Sequence, residues 1–176
     1  MNLSSVSQTA DRLDSRLDSW YRPARNIALL NSIMVAASTL GDWSLIWHLT
    51  GATRGLLTGE FREIILLSVL LGIESLIVNQ GIKRLFRRQR PTEHGAEGLT
   101  VRKPRTSSFP SGHASAAGFA VVMLSSMTGG WWVLLWILIA TTVAISRFHV
   151  RIHHATDIVA GALVGAALAA AFLPLL

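Results

Sequence analysis

Residues 62–91 read REIILLSVLLGIESLIVNQGIKRLFRRQRP. The first two thirds are dominated by apolar residues, and the last third, from Lys83 to Arg90, by cations. About 20 apolar residues are needed to carry a helix across a bilayer, and the segment Arg62–Ile82 meets that length. Five further segments share its character: Arg25–Leu40, Trp43–Leu57, Ser111–Met127, Trp131–Ser146 and Ala155–Leu176. The second and fifth are short, and reach across only if Trp43, Trp47, Trp131 and Trp132 sit at the interfaces. The expected architecture is therefore all-α: a polytopic bundle of six transmembrane helices. Six crossings place the loop between helices three and four on the same face as the loop between five and six.

Composition agrees with that reading. Hydrophobic residues make up 51% of the 176 and charged residues 15%, below the roughly one quarter usual in soluble domains. The length fits a single domain, residues 1–176, without internal repeats. There is no cysteine, which excludes disulfides, thiolate catalysis and cysteine-ligated metal. A net charge of +6 points to an anionic partner. The long apolar runs leave little surface for tracking nucleic acid and favour a lipid. Homo-oligomerisation stays open.

Ahead of the first apolar segment, Val6, Ala10, Leu13, Leu17 and Trp20 recur at steps of four and three, which puts them on one face of a helix. Asp11, Arg12, Asp14, Arg16 and Asp18 occupy the other face. Residues 1–22 are expected to form an amphipathic helix at the membrane surface, with Trp20 and Tyr21 at headgroup level. Packing of that helix on a partner subunit is the alternative. The same residues lack a secretory leader's apolar core and cleavage site, so the N-terminus is expected to be retained. In the last segment, Gly161 and Gly165 stand four apart among alanines, a spacing that permits close helix contact.

Residues able to do chemistry gather at three places. Lys83 to Pro91 follows the third helix. Cations there often serve only as cytoplasmic or headgroup-facing charge, but arginine's planar donors also suit phosphate oxygens. Pro110-Ser111-Gly112-His113 opens the fourth segment. A tight turn into a helix start offers unpaired N–H groups to an anion, Ser111 adds a hydroxyl, and His113 could pass a proton to a leaving group. Ser146 to Asp157 closes the fifth segment and opens the sixth. His153 and Asp157, four apart, share a helical face, and a carboxylate on one ring nitrogen leaves the other free to attack. Arg147 adds a guanidinium. The clustered histidines 149, 153 and 154 could bind a metal, but the basic surroundings argue against a divalent cation, and no cofactor is expected.

In this order and spacing the three clusters resemble the signature of the type 2 phosphatidic acid phosphatase family: Lys, six residues, Arg-Pro; Pro-Ser-Gly-His; then Ser-Arg, five residues, His, three residues, Asp. Lys83, Arg90 and Pro91, then Pro110 to His113, then Ser146, Arg147, His153 and Asp157 match it without departure. Ser38-xx-Gly41-Asp42 also resembles a segment of bacterial members. The resemblance implies a metal-independent lipid phosphatase whose catalytic loops are 83–113 and 146–157. His153 would attack phosphorus, Asp157 would orient it, and His113 would protonate the leaving oxygen. Lys83, Arg90, Arg147, Ser111 and Gly112 would hold the phosphoryl oxygens.

Other residues receive secondary expectations. Glu74, inside a span, is read as protonated or paired with Asn79 or Gln80. His149 and His154 are read as supporting the site. Arg87, Arg88, Arg102, Lys103 and Arg105 are read as attracting a headgroup, and His94 lies in a loop, 92–106, with the composition of a mobile cover. The resemblance puts the active site on the extracytoplasmic face of the cell membrane. Charge counting does not separate the sides: the two loops hold ten of the sixteen Lys and Arg residues, and setting aside Lys83, Arg90 and Arg147 leaves seven against six. Polyprenyl phosphates or diphosphates and prenyl-linked sugar phosphates lead the substrate candidates, ahead of phosphatidate and phosphatidylglycerophosphate. The rivals are a vanadium-dependent haloperoxidase, which shares the signature but is soluble and larger, and a non-catalytic lipid-binding or lipid-flipping protein, which typically lacks one of the two histidines.

Overall fold

The computed structural model describes residues 3–94, 99–103 and 106–176, except the side chains of 3–7 and 94. Residues 95–98, 104 and 105 of the expected cover, Arg105 among them, and the side chains of Val6 and His94 lie outside the described residues. Among the described residues all regular structure is helical: α1 Leu3–Tyr21, α2 Ala28–Leu40, α3 Leu45–Thr58, α4 Phe61–Leu76, α5 Gly112–Thr128, α6 Trp132–His149 and α7 Ala155–Phe172.

Two helical stretches, Trp132–His149 and Ala155–Leu175, are long and apolar enough to cross a membrane. A third qualifies if α2 and α3 count as one span bent by 67°. The sequence reading expects six. At 13 and 14 residues, α2 and α3 are each about 20 Å long at 1.5 Å per residue, short of a full crossing. Their bend falls at Trp43 and Ser44, both in left-handed backbone (φ 55° and 59°). α4 gives way after Leu76 to a π-helical segment, Ile77–Gly81, and then a 3₁₀ turn, Ile82–Leu85.

Large apolar side chains point outward along the bundle, among them Leu29, Leu57, Ile65, Leu134, Leu138 and Leu163. The interior is built from Trp47, Leu67, Leu71, Phe119, Met123 and a set of alanines. α5 and α7 lie backbone to backbone. A Cβ at Gly118 would stand 2.2 Å from the Ala162 carbonyl oxygen, one at Gly161 2.4 Å from that of Ser111, and one at Gly165 1.9 Å from that of Ser115. The Gly161–Gly165 spacing therefore serves packing within the chain, and it brings the N-terminal ends of α5 and α7 together.

α1 docks by its polar face. Asp14 is buried, while Leu13, Leu17 and Trp20 are exposed on the opposite side. Tyr21 is half-buried rather than outermost: its ring lies 5.3 Å from that of Phe148, and its hydroxyl is 3.1 Å from His149 Nδ1.

Candidate active site

The end of α6 determines where His153 falls. Val150 closes the helix and Arg151 turns left-handed at φ 60°. The Ile152 N–H donates to the Arg147 carbonyl (3.1 Å) and the Arg151 N–H to that of Phe148 (3.1 Å), the paired bonds of a Schellman stop. A non-glycine residue in this conformation costs on the order of 1 kcal/mol. The turn buries Ile152 and delivers His153, 1% exposed, beneath α6. α7 then begins at Ala155 with Asp157 in its first turn, accepting the His154 backbone N–H at 2.9 Å.

The His153 ring is held at both nitrogens. Nδ1 is 3.3 Å from Ser108 Oγ, which donates to Asp157 Oδ2 at 2.6 Å. The direct separation of His153 Nδ1 from Asp157 Oδ2 is 3.6 Å, so the contact that the spacing of four suggested runs through a serine hydroxyl. Nε2 faces Arg90 Nη1 at 3.2 Å. Arg90 is fixed by the carbonyls of Ile152 (3.0 Å), Thr106 (3.0 Å) and Ser107 (3.3 Å). Burial, reinforced by Arg90, Arg147 and Lys83, holds the His153 imidazole well below its ordinary pKa, favouring the neutral ring.

Arg147, fully buried, donates from Nη1 to Ser38 Oγ. Its Nε and Nη2, and the Nε of Arg90, meet no acceptor among the described residues. Lys83 is also buried, and that burial, with Arg90 and Arg147 nearby, pushes its ammonium down to about 8. Three buried cations around one neutral imidazole form an environment that an anion would complete, since uncompensated buried charge is costly.

His113 sits on the first turn of α5. Its Nε2 is 3.1 Å from the Ser38 carbonyl and 3.1 Å from Asp42 Oδ1. Gly41 lets the ring lie there, because a Cβ at that position would be 2.5 Å from His113 Cδ2. Ser111 caps α5, its Oγ accepting the Ala114 N–H at 3.4 Å, while its own N–H donates to the Asp157 carbonyl at 3.0 Å. Of the turn expected to bind phosphate, the N–H groups of Gly112 and His113, in the first turn of α5, have no acceptor within the helix. Gly112 itself is packed: a Cβ there would be 2.8 Å from Asn79 Oδ1.

Several secondary expectations change. Arg88 is committed to Asp157 Oδ1 (2.6 Å), Asp14 Oδ2 (2.6 Å) and Thr156 Oγ1 (2.7 Å), so it does not extend toward a headgroup. Glu74 accepts from Ser115 Oγ rather than from Asn79 or Gln80. His149 joins α6 to α2 through Asn31 Oδ1 at 2.7 Å, and His154 Nε2 is 3.3 Å from the Gln89 carbonyl. Arg102 stacks 4.3 Å above the Trp43 ring and approaches Asp42 at 3.9 Å. Arg87 and Lys103 are exposed. Among the described residues no group of three His, Cys, Asp or Glu side chains is placed to hold a metal ion. A cavity of about 1180 Å³ opens at His153, walled by Asp11, Asp18 and Arg22 on one side and by Phe86, Arg87, Phe109 and Phe148 on the other.

Ser108, Asp14 and Arg88 were not singled out by motif. Asp11, Asp14 and Asp18 stand at steps of three and four, an acidic stripe that marks a docking face as readily as a solvated one.

Residues 63–176 match the PAP2 superfamily. The chain is 36% identical over 89 residues to a decaprenylphosphoryl-5-phosphoribose phosphatase of Mycobacterium tuberculosis (strain CDC 1551 / Oshkosh), covering 51% of this chain and 48% of that one. It thus spans about half the length of that relative. It is 30% identical over 140 residues to an undecaprenyl-diphosphatase of Sulfolobus acidocaldarius, covering 79% and 67%. Its fold matches that of a transmembrane PAP2-type phosphatidylglycerolphosphate phosphatase from Bacillus subtilis, with a TM-score of 0.71, 23% identity, and coverage of 97% and 86%.

Proposed function

The chain belongs to the PAP2 superfamily, and from that premise we propose that it is a membrane phosphatase acting on a polyprenyl phosphate, polyprenyl diphosphate or prenyl-linked sugar phosphate. The observation that carries this reading is the cluster of Lys83, Arg90 and Arg147 around the buried His153, with guanidinium nitrogens of two arginines lacking an acceptor among the described residues. A phosphoryl group would supply the missing oxygens. The relatives of Mycobacterium tuberculosis and Sulfolobus acidocaldarius, both named for polyprenyl substrates, support the lipid class.

In the proposed reaction the His153 Nε2 lone pair forms a bond to phosphorus as the bond to the leaving oxygen breaks. His113 gives that oxygen a proton. Ser108 accepts from Nδ1–H and donates to Asp157, whose negative charge stabilises the charge that develops on the ring. Water then attacks the phosphohistidine, His113 takes its proton, and inorganic phosphate leaves. Lys83, Arg90, Arg147 and the N–H groups of Gly112 and His113 bind the equatorial oxygens, where positioning and charge stabilisation supply most of the catalysis.

The six apolar helices, α2 to α7, form the membrane bundle in this reading, with the site on the extracytoplasmic face of the cell membrane. α1 lies in the interface, with Leu13, Leu17 and Trp20 toward lipid. The test is phosphate release by detergent-solubilised protein on a panel of lipid phosphates, with a chelator present, beside His153→Ala. Turnover that survives chelation and vanishes in the variant supports the reading. Failure on every lipid by folded protein overturns it.

A further inference from the structure

The N-terminal helix reaches the catalytic centre with a carboxylate rather than resting beside it. Asp14, 4% exposed, receives three hydrogen bonds: Arg88 Nη2 (2.6 Å), Thr156 Oγ1 (2.6 Å) and the Thr156 backbone N–H (2.9 Å). Arg88 uses its other terminal nitrogen on Asp157 Oδ1 at 2.6 Å. Asp157 in turn holds Ser108, which holds His153. An unbroken series of hydrogen bonds therefore runs from α1 to His153.

We propose that Asp14 is a positioning residue for His153, acting through Arg88 and Asp157. The proposal rests on the phosphatase reading above. Its basis is the local charge. Asp157 must face the imidazole as an anion to stabilise positive charge as the ring is phosphorylated. A guanidinium 2.6 Å from its outer oxygen offsets part of that negative charge as felt at the ring. Asp14, equally close to the same guanidinium, offsets the guanidinium charge, so Asp157, Arg88 and Asp14 together retain one negative charge. Without Asp14 the inner pair is neutral, and Arg88 is free to draw Asp157 outward. Asp11, at 3.2 Å but exposed, is screened by solvent and contributes less. Thr156 fixes the geometry, because Asp14 also takes the N–H next to Asp157 at the start of α7.

None of these contacts touches the phosphate. The proposal therefore predicts that Asp14→Asn lowers kcat about tenfold, the low end for losing a carboxylate that supports a working histidine, and leaves KM unchanged. Asparagine keeps an acceptor for the Thr156 N–H while removing the charge. The double variant Asp14→Asn/Arg88→Gln removes the opposing guanidinium as well and recovers much of the loss. Thermal unfolding of each variant in detergent accompanies the kinetics. A purely structural Asp14 would leave the double variant no more active than the single one, and that result overturns the proposal, as does unchanged kcat in Asp14→Asn. Wild-type protein inactive on the whole lipid panel overturns the phosphatase reading and this proposal with it. Active wild type with an indifferent Asp14→Asn overturns this proposal alone.

Discussion

Asp42 Oδ1 lies 3.1 Å from His113 Nε2, and the Ser38 carbonyl lies 3.1 Å from the same nitrogen. Both come from the junction of α2 and α3, a bend that the two left-handed residues Trp43 and Ser44 make possible. The bend puts a carboxylate and a carbonyl against one edge of the ring, where together they orient His113 as a proton donor. Ser38 also accepts from Arg147 through its hydroxyl, so one residue contacts both the proposed proton donor and a proposed phosphate ligand.

Asp42→Asn should therefore slow only reactions that need the leaving oxygen protonated. On an alkyl or polyprenyl phosphate kcat should fall about tenfold, a fraction of the 10²–10⁴ that general acid catalysis typically contributes. On an aryl phosphate with a good leaving group the variant should match the wild type. Parallel kinetics on the two substrates check this, and equal losses on both would contradict the role.

Ser108→Ala removes the hydroxyl between His153 Nδ1 and Asp157 Oδ2, which otherwise stand 3.6 Å apart. The ring then loses its tautomer-fixing partner, and kcat should fall about tenfold with KM little changed. Ser108→Thr, which retains the hydroxyl, should keep more activity than the alanine variant. Steady-state kinetics on the three proteins decide it.

The pH dependence follows from Lys83, whose ammonium is depressed to about 8 by burial and by Arg90 and Arg147. It is charged below that pH and neutral above it, so phosphate affinity is present at neutral pH and lost as pH rises through about 8. kcat/KM, which reports the free enzyme, should show an alkaline limb near there. Lys83→Arg, charged throughout, should carry the limb to higher pH. A profile identical to that of wild type would contradict the assignment.

The α5–α7 contact gives a stability prediction. Gly165→Ala forces a methyl group to within 1.9 Å of the Ser115 carbonyl oxygen, and overpacking of this kind costs about 1–3 kcal/mol. Gly72→Ala, whose Cβ meets nothing within 4 Å, gains helix propensity instead, up to about 1 kcal/mol. Thermal unfolding in detergent should separate the two in opposite directions.

Much of the site was legible because its chemistry is local in sequence: Lys83, Arg90, His113, Arg147, His153 and Asp157 fall in three short clusters. The residues that support them were less legible because their partners are distant. Ser108 and Asp157 are 49 positions apart, Asp14 and Thr156 142. An acidic stripe on an amphipathic helix reads the same whether it meets water or an arginine, so the periodicity of α1 could give its helical form but not which face docks. The helices were legible from apolar runs. How far each one runs unbroken was less legible, because such runs do not reveal the bend at Trp43–Ser44 or the π segment after α4.

The central claim, nucleophilic attack by His153, is tested most directly by trapping. Protein carrying His113→Ala, in which activation of the hydrolytic water is impaired, is mixed with an aryl phosphate whose good leaving group departs without a proton, quenched in base, and analysed by intact-mass and peptide mass spectrometry. The account predicts one phosphoryl group on His153, stable to base, lost in acid, and absent when His153 is also replaced by alanine. Phosphate release by His153→Ala at the wild-type rate, with no adduct in either protein, would contradict it.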